Sequence, residues 1–88
     1  MTYSPLIGFS NQTRLQLITC LSNGKKNVNE LIENCGLSQS AVSQHLQKLR
    51  ISGLVKDEKM GKYVYYSLIN PKSAKIAMML KDFLKEQN

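Results

Sequence analysis

The chain has 88 residues, of which 42% are hydrophobic, and it carries a formal net charge of +6 with a pI near 9.5. This length predicts one domain over residues 1–88 and excludes a multidomain protein. A monomer this small is only marginally stable, which favours a dimer. The positive charge suits an anionic partner such as nucleic acid, although a basic surface kept for solubility accounts for it equally well.

Targeting features and cysteine content predict the compartment. Residues 2–9 have neither a cationic start nor a long apolar run, so no signal peptide is predicted. The sequence has no apolar run approaching the length of a membrane span, and we expect a cytoplasmic protein without membrane association. In that compartment Cys20 and Cys35 are expected to be reduced thiols rather than a disulfide framework.

The N-terminal third predicts a short apolar segment followed by two helices. One helix is predicted over residues 12–22, after a stretch of capping residues and before Gly24, which ends it. Residues 25–27 are interpreted as a polar connector. The next helix starts at Asn27 or Asn29 and ends at Gly36, because its apolar residues recur at i, i+3, i+4 and i+7. The residues predicted to be buried in the first of these helices are Leu17, Ile18, Cys20 and Leu21.

Residues 37–50 say most about function. After a turn of about three residues, Ser38 is placed to cap a helix whose apolar side chains form one stripe. The outer face of this helix has no acidic residue, and its hydroxyls and amides can donate and accept at base edges without repelling phosphate. Two helices joined by a tight turn predict a helix-turn-helix. The predicted DNA-binding residues here are Ser38, Gln39, Ser40, Ser43, Gln44, Gln47 and Lys48.

His45 lies at the boundary between the buried stripe and the outer face of the same helix. We expect it to serve in packing or in phosphate binding rather than as a titrating group.

A β-hairpin is predicted after this helix. Residues 54–59 and Tyr63–Leu68 read as two strands around a turn at residues 60–62, and the second strand is β-branched and aromatic. A hairpin that directly follows such a helix is called a wing, and its tip usually lies along the DNA backbone or the minor groove. Lys59 and Lys62 are at the predicted tip, and Tyr63 is a further candidate contact. The alternative is a solvated hairpin whose lysines blunt an edge strand. The predicted fold class is mainly α with a small β-hairpin (α+β), in the order α-α-α-α-β-β-α.

The last helix begins at Asn70-Pro71 and carries a strong apolar stripe. A domain this small leaves such a helix little core of its own to cover, so we expect a subunit interface formed by terminal helices at about residues 3–9 and 71–86. The alternative is that the stripe closes the core of the monomer. The predicted interface residues are Leu6, Ile7, Phe9, Ile76, Met79, Leu80, Phe83 and Leu84.

The chain resembles the ArsR/SmtB family of small dimeric bacterial repressors from about Leu6 to Phe83. The resemblance rests on Ser-Gln-Ser-Ala-Val-Ser-Gln-His-Leu within residues 36–46, on Gly-Leu-Val at 53–55, on the strand within residues 61–68 and on residues 10–18. It implies a winged helix-turn-helix that binds double-stranded DNA.

Metal sensing is not predicted. Metal-sensing members of that family carry Cys-x-Cys on the helix before the recognition helix, whereas Val28–Leu31 contains no cysteine. Other members bind zinc between terminal helices through Asp and His, and here the terminal helix has Asp82 but no histidine. Zinc needs about four N, S or carboxylate ligands. We therefore expect no metal and no cofactor.

The segment Arg14–Leu21 is similar to the thiol-sensing, HlyU- and BigR-like branch of the family. In that branch a cysteine in this helix pairs with one in the last helix, and Cys20 matches the first. Residues 85–87 offer no second cysteine, so Cys35 is the other candidate redox residue. Three roles stay open for the two cysteines: buried structural residues, a redox pair, or a single reactive thiol.

The resemblance and the recognition helix together predict a homodimeric repressor that binds a pseudo-palindromic operator. Two recognition helices would enter successive major grooves, and Gln44 can contact adenine through two hydrogen bonds. The alternative is a winged-helix module that binds another protein. Catalysis is not predicted, because Ser43 and His45 point to different sides of one helix and no Asp is placed to orient them. The inducer, if there is one, is unknown.

Overall fold

The computed structural model describes residues 4–87, which form five helices and three strands. The first half contains α1 (Pro5–Gly8), α2 (Gln12–Cys20), β1 (Lys26–Asn27) and α3 (Val28–Cys35). The second half contains α4 (Gln39–Ile51), β2 (Val55–Met60), β3 (Tyr63–Leu68) and α5 (Lys72–Glu86). A mainly helical fold with a small antiparallel sheet confirms the predicted class. Residue 3, where the predicted first helix began, lies outside the described residues.

The sheet has one strand more than the sequence predicted. Its order is β1-β3-β2, all antiparallel, and β2 and β3 form the predicted hairpin. Lys26 pairs with Tyr66 and Asn27 with Tyr65, so the predicted connector is a short strand. Two polar residues have no alternating pattern to recognise. Their strand exists because the chain runs beside the open edge of β3, which is a tertiary circumstance.

The helix-turn-helix is defined by three local hydrogen-bonding devices. The Asn27 side chain accepts from the Glu30 backbone N–H (2.8 Å) and the Glu30 side chain accepts from the Asn27 N–H (3.0 Å), a capping box that starts α3. Gly36 ends α3 in the left-handed conformation at φ 68°, which glycine adopts without steric cost. Ser38 Oγ then accepts from the Ala41 N–H (3.2 Å) and starts α4. The predicted end of α3 at Gly36 and the predicted cap of α4 at Ser38 are confirmed.

The core lies where α2, α3, α4 and the start of β2 meet, and α5 closes it from one side. Of the four residues predicted to be buried in α2, Leu17, Ile18 and Leu21 are buried, while Cys20 is half-buried. Burial of a leucine or valine side chain contributes roughly 1.5–3 kcal/mol each, so the apolar stripe of α4 fixes which face this helix turns outward. The largest fully buried side chains are Leu15, Leu17, Ile18, Leu31, Val42, Leu46, Leu49 and Val55.

The helix α1 sits directly on α4 and the chain that follows it. Gly8 is buried, and a side chain at this position would collide with Leu54 and crowd Leu49. A glycine therefore lets α1 approach α4 and Leu54 this closely without displacing the Leu54 side chain. Among the helices of residues 4–87, none has the length and apolar character needed to cross a membrane.

Candidate nucleic-acid interface

The outer face of α4 is exposed, and no acidic residue occurs from Gln39 to Ile51. Leu46 and Leu49 anchor the opposite face in the core, so the exposed side chains are presented by a helix that cannot rotate. The apolar stripe thus sets the orientation that the sequence predicted. All seven candidate residues of this segment are exposed: Ser38, Gln39, Ser40, Ser43, Gln44, Gln47 and Lys48.

These side chains differ in how far their hydrogen-bonding groups are already used. The Ser38 hydroxyl caps α4 and lies 3.4 Å from that of Ser40. Gln47 Oε1 accepts a hydrogen bond from Arg50 at 3.4 Å. Arg50 is exposed and is not among the DNA-binding residues predicted from the sequence. Four of the candidates make no side-chain hydrogen bond with any residue of the described part of the chain: Gln39, Ser43, Gln44 and Lys48. They are the side chains best prepared to bond an external partner.

The hairpin carries the other predicted contacts. Lys62 lies in the two-residue turn between Met60 and Tyr63, and its Nζ lies 5.7 Å from the centre of the Tyr63 ring. Lys59 pairs with Val64 on the strand before the turn. All three candidate residues of the wing, Lys59, Lys62 and Tyr63, are exposed. The first residue of β2, Val55, lies in the core with Leu46 and Leu49 of α4. The tip of the hairpin therefore lies roughly 17 Å from the core, at the other end of β2.

A lysine outside the predicted set supports this wing. Lys25, just before β1, places Nζ 4.0 Å from the Glu58 carboxylate, 3.1 Å from the Met60 sulfur and 5.9 Å from the centre of the Tyr65 ring. An exposed ion pair of this kind contributes at most about 1 kcal/mol to stability. It also offsets the acidic charge of Glu58 on the hairpin.

Arg14 is a buried cation beneath α4, and it is not among the functional residues predicted from the sequence. Only 5% of it is exposed, and desolvation by burial lowers its pKa from the ordinary value. Its Nη1 lies 3.1 Å from Nδ1 of His45 on α4. A signal was present: Arg14 stands at i of the stripe that Leu17, Ile18 and Leu21 continue at i+3, i+4 and i+7. A charge on an apolar stripe points to a specific buried partner.

The two cysteines form a disulfide, Cys20–Cys35, with Cα atoms 6.4 Å apart. The expectation of reduced thiols is therefore wrong for this structure, and of the three roles left open for the cysteines the structure has the pairing of Cys20 with Cys35. The reason is tertiary: α2 and α3 pack against each other, which brings the last residue of each helix together. Gln16 Nε2 lies 3.9 Å from Cys20 Sγ and Lys81 Nζ donates to Gln16 Oε1, so this bond also connects to α5.

The predicted dimer residues divide into two sets. Phe9, Leu80 and Leu84 pack against the core of their own chain, as the alternative interpretation expected, and Ile7 is half-buried. The other four are exposed: Leu6 (76%), Ile76 (44%), Met79 (72%) and Phe83 (55%). Ile76, Met79 and Phe83 lie on one side of α5, and together with Leu6 of α1 we call these four exposed residues the apolar face. Within α5 the division arises because successive side chains of a helix point in different directions, so that some face the core and others face the solvent.

The carboxylates, thiols and histidine of residues 4–87 do not gather into a group of three or more able to hold a metal ion. Asp82, the acidic residue of the last helix that the sequence analysis considered, is exposed.

The comparisons with known proteins agree with this geometry. Residues 11–57, from α2 through the start of the wing, match the family model described as bacterial regulatory protein, arsR family. The transcriptional activator HlyU of Vibrio cholerae is 43% identical over 63 residues, which cover 72% of this chain and 58% of HlyU. The regulator NmtR of Mycobacterium tuberculosis is 38% identical over 73 residues, which cover 83% of this chain and 61% of NmtR. The chain thus spans about three fifths of the length of these two relatives.

Solved structures share this fold over most of the chain. The transcriptional repressor BigR from Xylella fastidiosa superimposes with a TM-score of 0.78 at 33% identity, covering 90% of this chain and 81% of that one. The proteins matched here are transcriptional regulators rather than enzymes, which confirms the prediction that this chain has no catalytic role.

Proposed function

Because the chain belongs to the ArsR family of bacterial regulatory proteins, we propose that it is a sequence-specific repressor that binds double-stranded DNA as a homodimer. Membership in the family carries the coarse function, which is DNA-binding transcriptional regulation. Repression, dimerisation and a pseudo-palindromic operator are our extension. HlyU is named an activator and BigR a repressor, so names alone do not decide the direction. We choose repression because a bound dimer occludes a promoter without any further contact surface.

The observation that carries the proposal is the acid-free outer face of α4. A helix exposed only to water or to a protein partner has no reason to exclude Asp and Glu, since mixed charges stabilise such helices. A helix facing phosphates has that reason, because each carboxylate would be repelled. Gln44, whose amide is unused within the described residues, can donate to and accept from adenine simultaneously.

The wing adds a second, sequence-independent contact. Lys59 and Lys62 are exposed on the hairpin, and we propose that they lie along the phosphate backbone beside the groove that α4 enters. Tyr63 supports Lys62 through the contact between the Nζ and the ring. Cationic contacts of this type attract all DNA sequences equally and weaken as salt rises.

The apolar face supports the homodimer. Leu6, Ile76, Met79 and Phe83 leave large hydrophobic side chains exposed on a small domain, and a second copy offers the same chemistry by symmetry. A two-fold axis through this face would place two α4 helices on one side of the dimer. Their half-sites would then be roughly 34 Å apart, one turn of DNA. A pseudo-palindromic operator follows from that symmetry, and binding to chromosomal DNA implies a cytoplasmic location.

The test begins with selection of binding sites from a random duplex library with the full chain. Fluorescence anisotropy then compares the selected duplex with a scrambled one across a salt series. We expect the selected site to be preferred about a thousandfold or more. Equal, weak and steeply salt-dependent binding to both duplexes would contradict sequence-specific recognition. No binding at low salt would favour the alternative of a protein-binding winged helix.

A second property is supported by the Cys20–Cys35 bond. Disulfides in cytosolic proteins are usually transient and catalytic or redox-sensing. We propose that the pair is reversibly oxidised: the two thiols lose two protons and two electrons and form the S–S bond, and a peroxide accepts them as it is reduced to an alcohol or water. The bond joins α2 to α3, the first helix of the helix-turn-helix, so its state acts on the support of α4.

Thermal unfolding with and without reductant tests whether the bond matters. Closing a loop of 15 residues stabilises the folded state by about 3 kcal/mol, mainly by restricting the unfolded chain. We expect reduction to lower the unfolding temperature of the wild type and to leave a Cys20→Ser, Cys35→Ser double variant unchanged. The same preparations, titrated with the selected duplex, show whether oxidation changes DNA affinity. An equal affinity in both states would argue against a sensing role.

A further inference from the structure

Arg14 joins the first helix to the recognition helix. Its Nη2 donates to the carbonyl of Ile7 (2.8 Å), its Nε donates to the carbonyl of Gly8 (3.3 Å), and its Nη1 lies 3.1 Å from Nδ1 of His45. Nη2 also lies 3.2 Å from the hydroxyl of Ser10. Every partner of this buried guanidinium among residues 4–87 is therefore neutral. No carboxylate of the described residues forms an ion pair with this guanidinium, so its positive charge is not neutralised beside α4.

The contact with Arg14 fixes the proton on the imidazole. An arginine donates and never accepts, so Nδ1 of His45 must be the unprotonated, accepting nitrogen. Desolvation by burial, followed by the charges of Arg14 and Lys48, lowers the pKa of His45 from its ordinary 6.5. The ring is then neutral at pH 7 and carries its proton on Nε2. No hydrogen bond within the described residues uses that nitrogen.

His45 lies at the edge of the surface that α4 is proposed to present to DNA. It is half-buried, next to the exposed Gln44, on the border between the core stripe of α4 and its outer face. A recognition helix in a major groove has sugar-phosphate backbone along its flanks, while the middle of its outer face meets the bases. A cation that donates to Nδ1 also polarises the ring and strengthens Nε2–H as a donor.

We infer that Arg14 and His45 form a donor relay, in which buried Arg14 holds His45 in the Nε2–H tautomer and Nε2–H binds a DNA phosphate at the flank of α4. The inference rests on the DNA-binding function proposed above. His45 is the residue that touches DNA, and Arg14 is a positioning residue that acts through it. The carbonyls of Ile7 and Gly8 hold Arg14 in place, so α1 supports the relay.

The first test needs no DNA. His45 is the only histidine of the chain, so long-range 1H–15N spectra report its two ring nitrogens without overlap. In the wild type we expect protonated Nε2, unprotonated Nδ1 and a pKa below 6.5. Arg14→Gln should give a mixture of tautomers and a raised pKa. Lys48→Gln is the matched control, because it also removes a cation near His45 but makes no contact with Nδ1; it should change the pKa alone.

A protonated Nδ1 in the wild type, or an unchanged tautomer in Arg14→Gln, would overturn the relay whether or not the protein binds DNA. If Arg14→Gln does not fold, the wild-type spectrum still tests the tautomer, and the variant His45→Asn still tests the phosphate contact.

The second test measures affinity for the selected and the scrambled duplex. His45→Asn retains an acceptor close to the backbone and is too short to reach a phosphate. We expect it to weaken binding to both duplexes roughly tenfold, the effect of losing one hydrogen bond to a charged group. The salt slope should not change, because a neutral donor releases no counterion. Arg14→Gln in the His45→Asn background should cause little further loss, since the two residues act as one unit.

Affinity equal to the wild type in His45→Asn would overturn the phosphate contact and leave the proposed DNA binding intact. A wild type that binds neither duplex would refute both proposals, even if the spectra show the expected tautomer.

The pH dependence of stability offers an independent check. The folded pKa of His45 is lowered, so between that value and about 6.5 the unfolded chain binds more protons than the folded one. This group therefore makes stability rise with pH through that window and lowers stability as pH falls. The groups facing His45 are Arg14 from α2 and Lys48 from α4. We expect His45→Asn to unfold with a weaker pH dependence between pH 5 and 7, roughly the range where histidines titrate; an unchanged dependence would contradict the contact.

Discussion

The helices α4 and α5 are built alike on one side and differently on the other. Each turns a stripe of side chains into the same core, with Leu46 and Leu49 from α4 and Ala77 from α5 fully or nearly fully buried. On the exposed side, α4 presents hydroxyls, amides and cations without an acid. The exposed side of α5 includes Met79 and Phe83 and also carries acidic residues. The buried stripe determines the fold, and the exposed side determines the partner.

The proposed function gives this difference an electrostatic and hydrophobic basis. Phosphate repels carboxylates, so a helix that faces DNA loses them, whereas a helix that faces a second copy tolerates acids at its margin. An exposed phenylalanine or methionine gains free energy only when another surface removes it from water, at about 25 cal/mol per Å². Both helices carry lysines, and the total charge of the chain therefore does not distinguish the two surfaces.

The largest expected effect comes from placing a charge in the apolar face. Met79→Glu should convert the proposed dimer into a monomer, because burying an unpaired carboxylate costs several kcal/mol. Without the second half-site, affinity for the selected duplex should fall about a hundredfold or more. Sedimentation velocity measures the first effect and anisotropy the second.

Met78→Glu is the matched control, since Met78 is also exposed but lies about 100° around α5 from Met79, away from Phe83. A Met79→Glu protein that sediments like the wild type would show that α5 is not the subunit interface.

An intermediate effect is expected on α4. Gln44→Ala should reduce discrimination between the selected duplex and single-base variants at one position by about 1–3 kcal/mol, because a bidentate contact to adenine is lost. Competition binding with a set of single-base variants provides the measurement. Gln12→Ala, at an exposed glutamine on α2, should leave the preference unchanged. Retained base preference in Gln44→Ala would mean that another residue of α4 reads the bases.

The smallest expected effect is on the salt dependence of DNA binding, which should respond to the loss of a lysine on α4 but not on α5. Lys48→Ala on α4 should weaken the selected and scrambled duplexes to a similar extent and reduce the slope of log affinity against log salt by about 1. Lys75→Ala removes the same charge from the exposed side of α5 and should leave the slope as in the wild type. Equal slopes for both variants would show that phosphate attraction is a property of the total charge and not of the α4 surface.

Local patterns sufficed for the helix-turn-helix. Gly36 and Ser38 each act through bonds to residues a few positions away, so their effect on helix boundaries can be predicted without knowing the fold. The stripe of Val42, Leu46 and Leu49 likewise follows from helical spacing alone. For this reason the orientation of the recognition helix was predicted correctly. The roles of its exposed residues in DNA binding stay predictions.

Long-range contacts account for what the sequence did not predict or, for the two cysteines, left open. The strand β1, the Cys20–Cys35 bond and the contact between Arg14 and His45 each join segments that are far apart in the chain. The pairs are separated by 15 residues for the cysteines and by 31 for the other two side chains. Periodicity places Arg14 on the buried stripe of α2, but it does not identify the partner in any of these contacts.

Thus the sequence by itself determined the class of fold, the family and the polar, acid-free face of α4, because each depends on residue type at short spacing. Only the tertiary structure decided that α5 divides between core and exposed apolar face, that the cysteines meet, and that a buried arginine stands behind the histidine of the recognition helix. Those features depend on how the helices pack. Packing is set by the sum of many small contacts across the whole core rather than by any one motif.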